Sequence, residues 1–296
     1  MALAPSAASA ALVYSAPFPP PPEGSSVFVA NDDGSAPRRM ARGNTPQVSP
    51  DGRLVAYFVS TVEYDKLYVK PVSSAEKRLL IRDAVATGSP TAVAWRPDSR
   101  SLIAGVQQRG AVVIDLADRS RRRVPLERFG GASWKPSAER FAVADSHVRG
   151  SDLFAVRTES LAVRDTGAGY SPVWGAPGLA FARFHAVLLR PRIGKPARVL
   201  LKGDFPTLRP VAWGPSGKRL LVMKGPVKGR SYRAVLINPK TRARTQVPYP
   251  FADVAGISKD GREILGTNLK NDVVAVRRNG TARILAQHAV RPSWTK

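Results

Sequence analysis

Residues 92–105 read AVAWRPDSRSLIAG, and the arrangement returns as GASWKPSAERFAVA at 131–144, SPVWGAPGLAFAR at 171–183 and PVAWGPSGKRLLVM at 210–223. In each copy a tryptophan (Trp95, Trp134, Trp174, Trp213) precedes a turn-forming stretch and a short apolar run. The fifth tryptophan, Trp294, stands in RPSWTK, and Val48 in PQVSPDGRLVAYFV and Ile257 in AGISKDGREILGT hold the same place where tryptophan is missing. The successive register positions are separated by 47, 39, 40, 39, 44 and 37 residues, a period of about 41. Self-similarity at that period marks repeated four-stranded units that bury their apolar faces against one another.

The text between registers supplies the strands. Each aromatic leads into a turn such as Pro50-Asp51-Gly52, Pro97-Asp98-Ser99, Pro215-Ser216-Gly217 or Lys259-Asp260-Gly261. This is hairpin chemistry, because Gly tolerates left-handed backbone and Asp bonds the amides around it. An apolar run follows (Leu54-Val55-Ala56-Tyr57), then a second (Leu67-Tyr68-Val69), a polar turn and a fourth strand (Lys77-Arg78-Leu79-Leu80). The spacing predicts an all-β chain, a seven-bladed β-propeller of four-stranded antiparallel blades with strands a to d. Before Val48 the chain has b-, c- and d-like strands (Ala11-Leu12-Val13-Tyr14, Ser26-Val27-Phe28-Val29, Pro37-Arg38-Arg39-Met40) but no a strand. Arg291-Pro292-Ser293-Trp294 reads as an a strand alone, so one closing blade is expected to join both ends and leave no free edge.

The pattern W/V-S-P-D-G-R-x-L/I-A-Y/F, clearest from Val48 to Tyr57 and echoed at Trp95, Trp213 and Ile257, resembles the WD40-like (PD40) repeats of TolB-type propellers. Val27-Phe28-Val29-Ala30-Asn31-Asp32-Asp33-Gly34 followed by Arg38-Arg39-Met40 is similar to that family's c strand, D-G turn and d strand. The resemblance covers almost the whole chain. It implies a propeller used as an envelope scaffold, as the gate of an oligopeptidase or as a surface protein. The count of seven and the missing N-terminal α/β domain depart from TolB itself.

Composition fits a single β domain over residues 11–296: 24 Gly and 26 Pro are what some twenty-odd turns need. No apolar run reaches membrane-spanning length. Residues 1–10, MALAPSAASA, read as the tail of an export signal or as a disordered N-terminus, because Ala8-Ser9-Ala10 is a small-x-small pattern without the usual basic start. An extracytoplasmic location is expected, and the absence of cysteine is compatible with any compartment.

The search for reaction chemistry returns little. His147, His185 and His288 share no ligand spacing, there is no cysteine, and neither a metal nor a cofactor is expected. Gly214-Pro215-Ser216-Gly217-Lys218-Arg219 occupies the a-to-b turn and reads as a hairpin rather than a phosphate loop. Asp51, Asp98 and Asp260 recur at one turn position, which turn geometry explains. No catalytic residue is assigned.

Charge is the remaining signal. With 46 basic and 22 acidic residues the net charge is +24, which draws a protein to polyanions in a salt-sensitive way. In a propeller the a-to-b and c-to-d turns open on one face, and here they carry Arg121, Arg122, Arg123, Arg192, Lys195, Arg242 and Arg244, the expected polyanion-binding set. The opposite face holds the d-to-a and b-to-c loops, with Tyr64, Phe129, Tyr170, Phe205, Tyr249 and Phe251 as the expected partner-binding set. The leading expectation is a monomeric, non-catalytic scaffold that binds a protein or peptide at the channel mouth and rests its basic face on anionic envelope polymer or lipid. The alternatives are a propeller enzyme of lactonase, lyase or glycosidase type, and then nucleic-acid binding through the arginine face.

Overall fold

A computed structural model describes residues 12–17, 24–85, 92–107, 110–147, 150–203, 207–226 and 231–295. Among them the chain is all-β, with antiparallel strands and no helix. Three sheets follow the repeat directly: Phe129–Trp134, Arg140–His147, Gly150–Arg157 and Val163–Ala168; then Tyr170–Gly175, Gly178–Arg183, Ala186–Arg190 and Arg198–Lys202; then Thr207–Trp213, Leu220–Gly225, Arg233–Ile237 and Arg244–Gln246. A fourth is built from Asp253–Ile257, Glu263–Thr267, Val273–Arg277 and Ala282–Ala286. An eight-stranded sheet consists of two halves, with a strands Asn44–Val48 and Val93–Trp95, joined by the single pairing of Ala84 with Val106. The last sheet joins the two ends: Val290–Trp294 pairs with Leu12–Pro17, which continues into Ser25–Ala30 and Arg38–Arg42. Leu12 faces Trp294 and Val13 faces Ser293, so the expected closure strand is present.

Burial changes across each sheet in a way the sequence dictates. The b strands are apolar on both sides and disappear from solvent, as Ser101–Val106 does along its whole length. The d strands carry arginine and stay exposed, as in Arg121–Val124, where Val124 alone is buried. The a strands alternate: in Thr207–Trp213 every second residue keeps partial contact with water, as expected for a strand lining an axial channel.

Neighbouring sheets share their cores. Leu221 and Met223 pack with Val254, Ile264 and Val274 of the next sheet. Leu265 and Val273 pack with Leu12 and Tyr14, and Val13 and Val27 pack with Val55 and Tyr57, which carries the packing around to the start. The register residues lock these interfaces. The indole N–H of Trp95 donates to the Gln47 carbonyl, that of Trp134 to Ala94 and that of Trp213 to Val173, each at 3.0 Å. Every acceptor is the residue just before the register position of the preceding repeat. Gly175 makes room for this: a methyl there would lie 2.4 Å from the Trp213 ring.

Candidate functional site

The a strands are irregular where they begin. Their pairing with the b strands slips between Asn44 and Gln47, Phe129 and Gly131, Tyr170 and Val173, Pro210 and Ala212, and Val254 and Gly256. Three residues before the register position, Thr45, Ser171 and Arg291 adopt φ of 48°, 48° and 54°. Left-handed backbone costs a non-glycine residue roughly 1–2 kcal/mol, and such bulges re-aim side chains.

Here they gather a polar arc from four successive sheets. Arg209 holds Asp253 at 2.9 Å across the gap between their strands. Arg291 on the following a strand donates through Nη1 to Thr45 Oγ1 at 2.5 Å, and Thr45 donates to Asn44 Oδ1 at 2.9 Å. Asp253 keeps 36% of its side chain exposed yet is surrounded by protein. Burial therefore raises its pKa, against the opposing pull of Arg209 and, more weakly, Arg291.

A second constellation lies on the outer edge. Arg38 donates to the Val72 carbonyl at 2.6 Å, Arg78 to Leu116 at 3.0 Å, Arg122 to Glu159 at 2.8 Å and Arg198 to Pro239 at 2.6 Å. Each reaches from the d strand of one repeat to the c-to-d turn of the next. Arg283 does the same toward Asp32 at 3.5 Å while pairing with Glu263 at 2.9 Å. Arg244 reaches back to Leu200 at 3.1 Å. Cations also crowd one another on this face. Burial and then Arg119 lower the pKa of Arg78, burial and then Arg219 that of Arg278, and burial with Arg38 and Lys77 that of Lys70. Like charges held this close mark a surface that an anion relieves.

The structure sorts the expected partner-binding residues. Tyr64 is 45% exposed in its b-to-c turn. Tyr170 is half-buried and donates its hydroxyl to the Phe184 carbonyl at 3.4 Å. Tyr249 is half-buried, edge-on to Phe251 with ring centroids 4.9 Å apart. Phe129 and Phe251 are corrected: they are 6% and 0% exposed and belong to inter-sheet cores. Both rings lie over glycines, Gly105 and Gly266, where a methyl would sit 2.6 Å away. Burying a Phe stabilises by about 1.5–3 kcal/mol, more than a loop-capping role would retain. Phe205 lies outside the described residues, as do residues 1–10.

Sequence reasoning missed Phe184, 73% exposed and beside Tyr170, and the exposed Val62 and Leu269; all three sit in b-to-c turns. Arg209 and Arg291 were missed as well. The signal available was their position, four and three residues before the register tryptophan.

Of the polyanion-binding set, Arg121, Arg122, Arg123, Arg192, Lys195, Arg242 and Arg244 are all exposed, and Arg122 and Arg244 are also the inter-repeat donors above. The turn aspartates behave as turn residues. Asp51 accepts from Ser49 Oγ at 2.6 Å and Arg53 N at 3.1 Å, and Asp260 repeats this with Ser258 and Arg262 at 2.6 and 3.0 Å. Gly214 closes its turn by donating to Arg219 O at 2.9 Å, which makes it a hairpin. His185 lies in a b-to-c turn and His288 in the connection between Ala282–Ala286 and Val290–Trp294.

No protein-family model matches the chain, and no curated protein aligns with it significantly. Solved structures do. TolB from Acinetobacter baumannii superposes with TM-score 0.65 at 14% identity, over 98% of this chain and 68% of that one. An oligogalacturonate lyase in complex with manganese gives 0.66 at 12% identity, over 95% and 86%. The β-propeller domain of the Trilobed protease from Pyrococcus furiosus gives 0.66 at 12%, over 95% and 94%. At such identities the likeness speaks for architecture alone, and that architecture is a TolB-like β-propeller.

Proposed function

We propose that this chain is a seven-bladed propeller of PD40-type repeats that works without catalysis. In this reading it is an extracytoplasmic scaffold that binds a protein or peptide where the channel opens and sets its basic face against an anionic envelope polymer or lipid. The count of seven is supported by cores shared from each repeat to the next, with the two halves of the eight-stranded sheet taken as separate blades. Export is supported by the small-residue run in 1–10.

The observation that carries the scaffold reading is the arc itself. Acid–base catalysis needs titrating groups whose roles are split between proton donor and acceptor. Asp253 instead stands between Arg209, its ion-pair partner, and Arg291, an arrangement suited to holding a ligand. The basic face is supported by its crowded cations, such as Arg78 beside Arg119 and Arg278 beside Arg219.

The enzyme alternative rests on the raised pKa of Asp253, and one set of assays separates the two. The purified protein is expected to turn over no polyuronate, lactone or glycoside. Turnover abolished by Asp253→Asn would replace the scaffold reading with an enzymatic one. Retention on phosphatidylglycerol vesicles is expected at low salt and to fall as the Debye length shrinks to about 8 Å. Changing Arg121, Arg192, Lys195 and Arg242 together to Gln should weaken it severalfold with the melting temperature unmoved. Equal retention by both proteins would remove the polyanion role.

A further inference from the structure

We propose that the channel mouth binds the carboxylate of an acidic peptide segment, with Arg291 as the anchoring guanidinium and the exposed apolar b-to-c turns receiving the flanking side chains. This rests on the scaffold reading and names its ligand class.

The two guanidinium groups of the arc differ in availability. Arg209 is 18% exposed and committed to Asp253. Arg291 is exposed and uses Nη1 on Thr45, which leaves Nε–H and the second amino group for an incoming acceptor. A planar guanidinium with adjacent free donors is matched to a carboxylate, which accepts two parallel bonds. The arc carries two cations and one anion, so it favours an incoming negative group.

Room for the ligand comes from the other side of the ring. At the positions equivalent to Arg209 and Arg291, one a strand has Gly130 and Gly131, and another has the half-buried Tyr170 followed by Ser171. The two glycines leave one sector of the ring of a strands without side chains.

The rim supplies the second half of the recognition. Phe184 is 73% exposed, Leu269 53%, Tyr64 45%, and Val62 is fully in solvent. All four lie in b-to-c turns, which open on the same face as the beginnings of the a strands. Their partner is named by charge complementarity: a chain of net charge +24 steers acidic segments inward, and an apolar rim around a cationic centre fits a peptide that alternates Leu or Phe with Glu.

Fluorescence anisotropy with labelled dodecapeptides tests this, one set built from Leu, Phe and Glu and the other from Leu, Phe and Gln, at 0.15 M salt. The Glu set is expected to bind the wild-type protein about tenfold more tightly than the Gln set. Arg291→Gln should erase that difference, Arg291→Lys should keep part of it, and Arg100→Gln on the opposite face should keep it all. A melting curve for each variant confirms that it folds. Equal binding of both sets, or a Glu preference that survives Arg291→Gln, overturns the carboxylate site while leaving the scaffold reading in place. No binding of either set by the wild-type protein overturns both.

Discussion

In several repeats the first and fourth strands lock their neighbours in opposite directions. Trp95, Trp134 and Trp213 on the a strands donate backward, to the preceding repeat, whereas Arg38, Arg78, Arg122 and Arg198 on the d strands donate forward, to the next, with Arg244 reaching back instead. The inner lock is an indole in a largely dry interface; the outer one is a guanidinium half in water. Bulges and left-handed residues sit beside the inner lock, and the outer edge has its own: d strands slip against c strands between Val27 and Phe28 and between Val187 and Leu188, and Arg119 and Arg242 adopt φ of 64° and 62° in c-to-d turns. Chemistry, not strain, separates the two edges: an arc of opposite charges with small and polar neighbours at the axis, and repeated guanidinium bonds between repeats at the rim.

The seam between the ends tests the inner lock hardest. Three register pairs connect Val290–Trp294 to the first strand, and Ser293 also accepts from Val48 N at 3.4 Å. Deleting residues 291–296 is expected to lower the melting temperature by about 10 °C or more, since each kcal/mol moves a chain of this size by roughly 2–4 °C. A loss of a degree or two would break the equivalence between this strand and the other a strands.

Within the inner set, Trp134 and Trp294 differ. Trp134 donates to Ala94, but the buried indole nitrogen of Trp294 has no hydrogen-bond partner among the described residues. Trp134→Phe should therefore cost about 1–3 kcal/mol, because it strands a carbonyl, and Trp294→Phe should cost less than half as much. Chemical denaturation of the two variants reads the difference directly. Equal costs would mean that ring volume, not the N–H bond, makes the inner lock.

At the outer edge the effects shrink. Arg198→Gln should cost about 1 kcal/mol, while Arg192→Gln, whose guanidinium lies in an exposed turn, should be neutral within about 0.5 kcal/mol. The smallest effect is acid-dependent. Burial works to raise the pKa of Asp51, but bonds from Ser49 and Arg53 outweigh it; at Asp260 the bond from Ser258 leads, and both groups sit below the usual 3.8. A lowered folded pKa contributes stability that is present above the unfolded value and lost as pH falls through the folded one. Asp51→Asn with Asp260→Asn should flatten the fall of melting temperature below about pH 4 by lowering the neutral-pH value, with the value in acid little changed.

What was legible in the sequence follows from the same division. Trp95, Trp134 and Trp213 announced the repeat because one geometric task demands one residue type each time. The turn aspartates were equally plain, since a local bond pattern fixes them. Phe129 and Phe251 were misplaced because their burial depends on glycines a strand away, which no local pattern reveals. Arg122 and Arg244 read as free surface charge because a bond to a neighbouring repeat's carbonyl leaves no mark in the sequence. The polar arc was hidden for a further reason: its members stand on four different repeats and meet only when the ring is assembled.

The most direct test compares Arg291→Gln with Arg198→Gln in one experiment, reading melting temperature and binding of the Glu-containing peptides together. Arg291→Gln should lose about tenfold in affinity while melting no earlier than Arg198→Gln, whose affinity should be unchanged. Both variants losing binding and stability in parallel would contradict the separation of an inner recognition ring from an outer structural one.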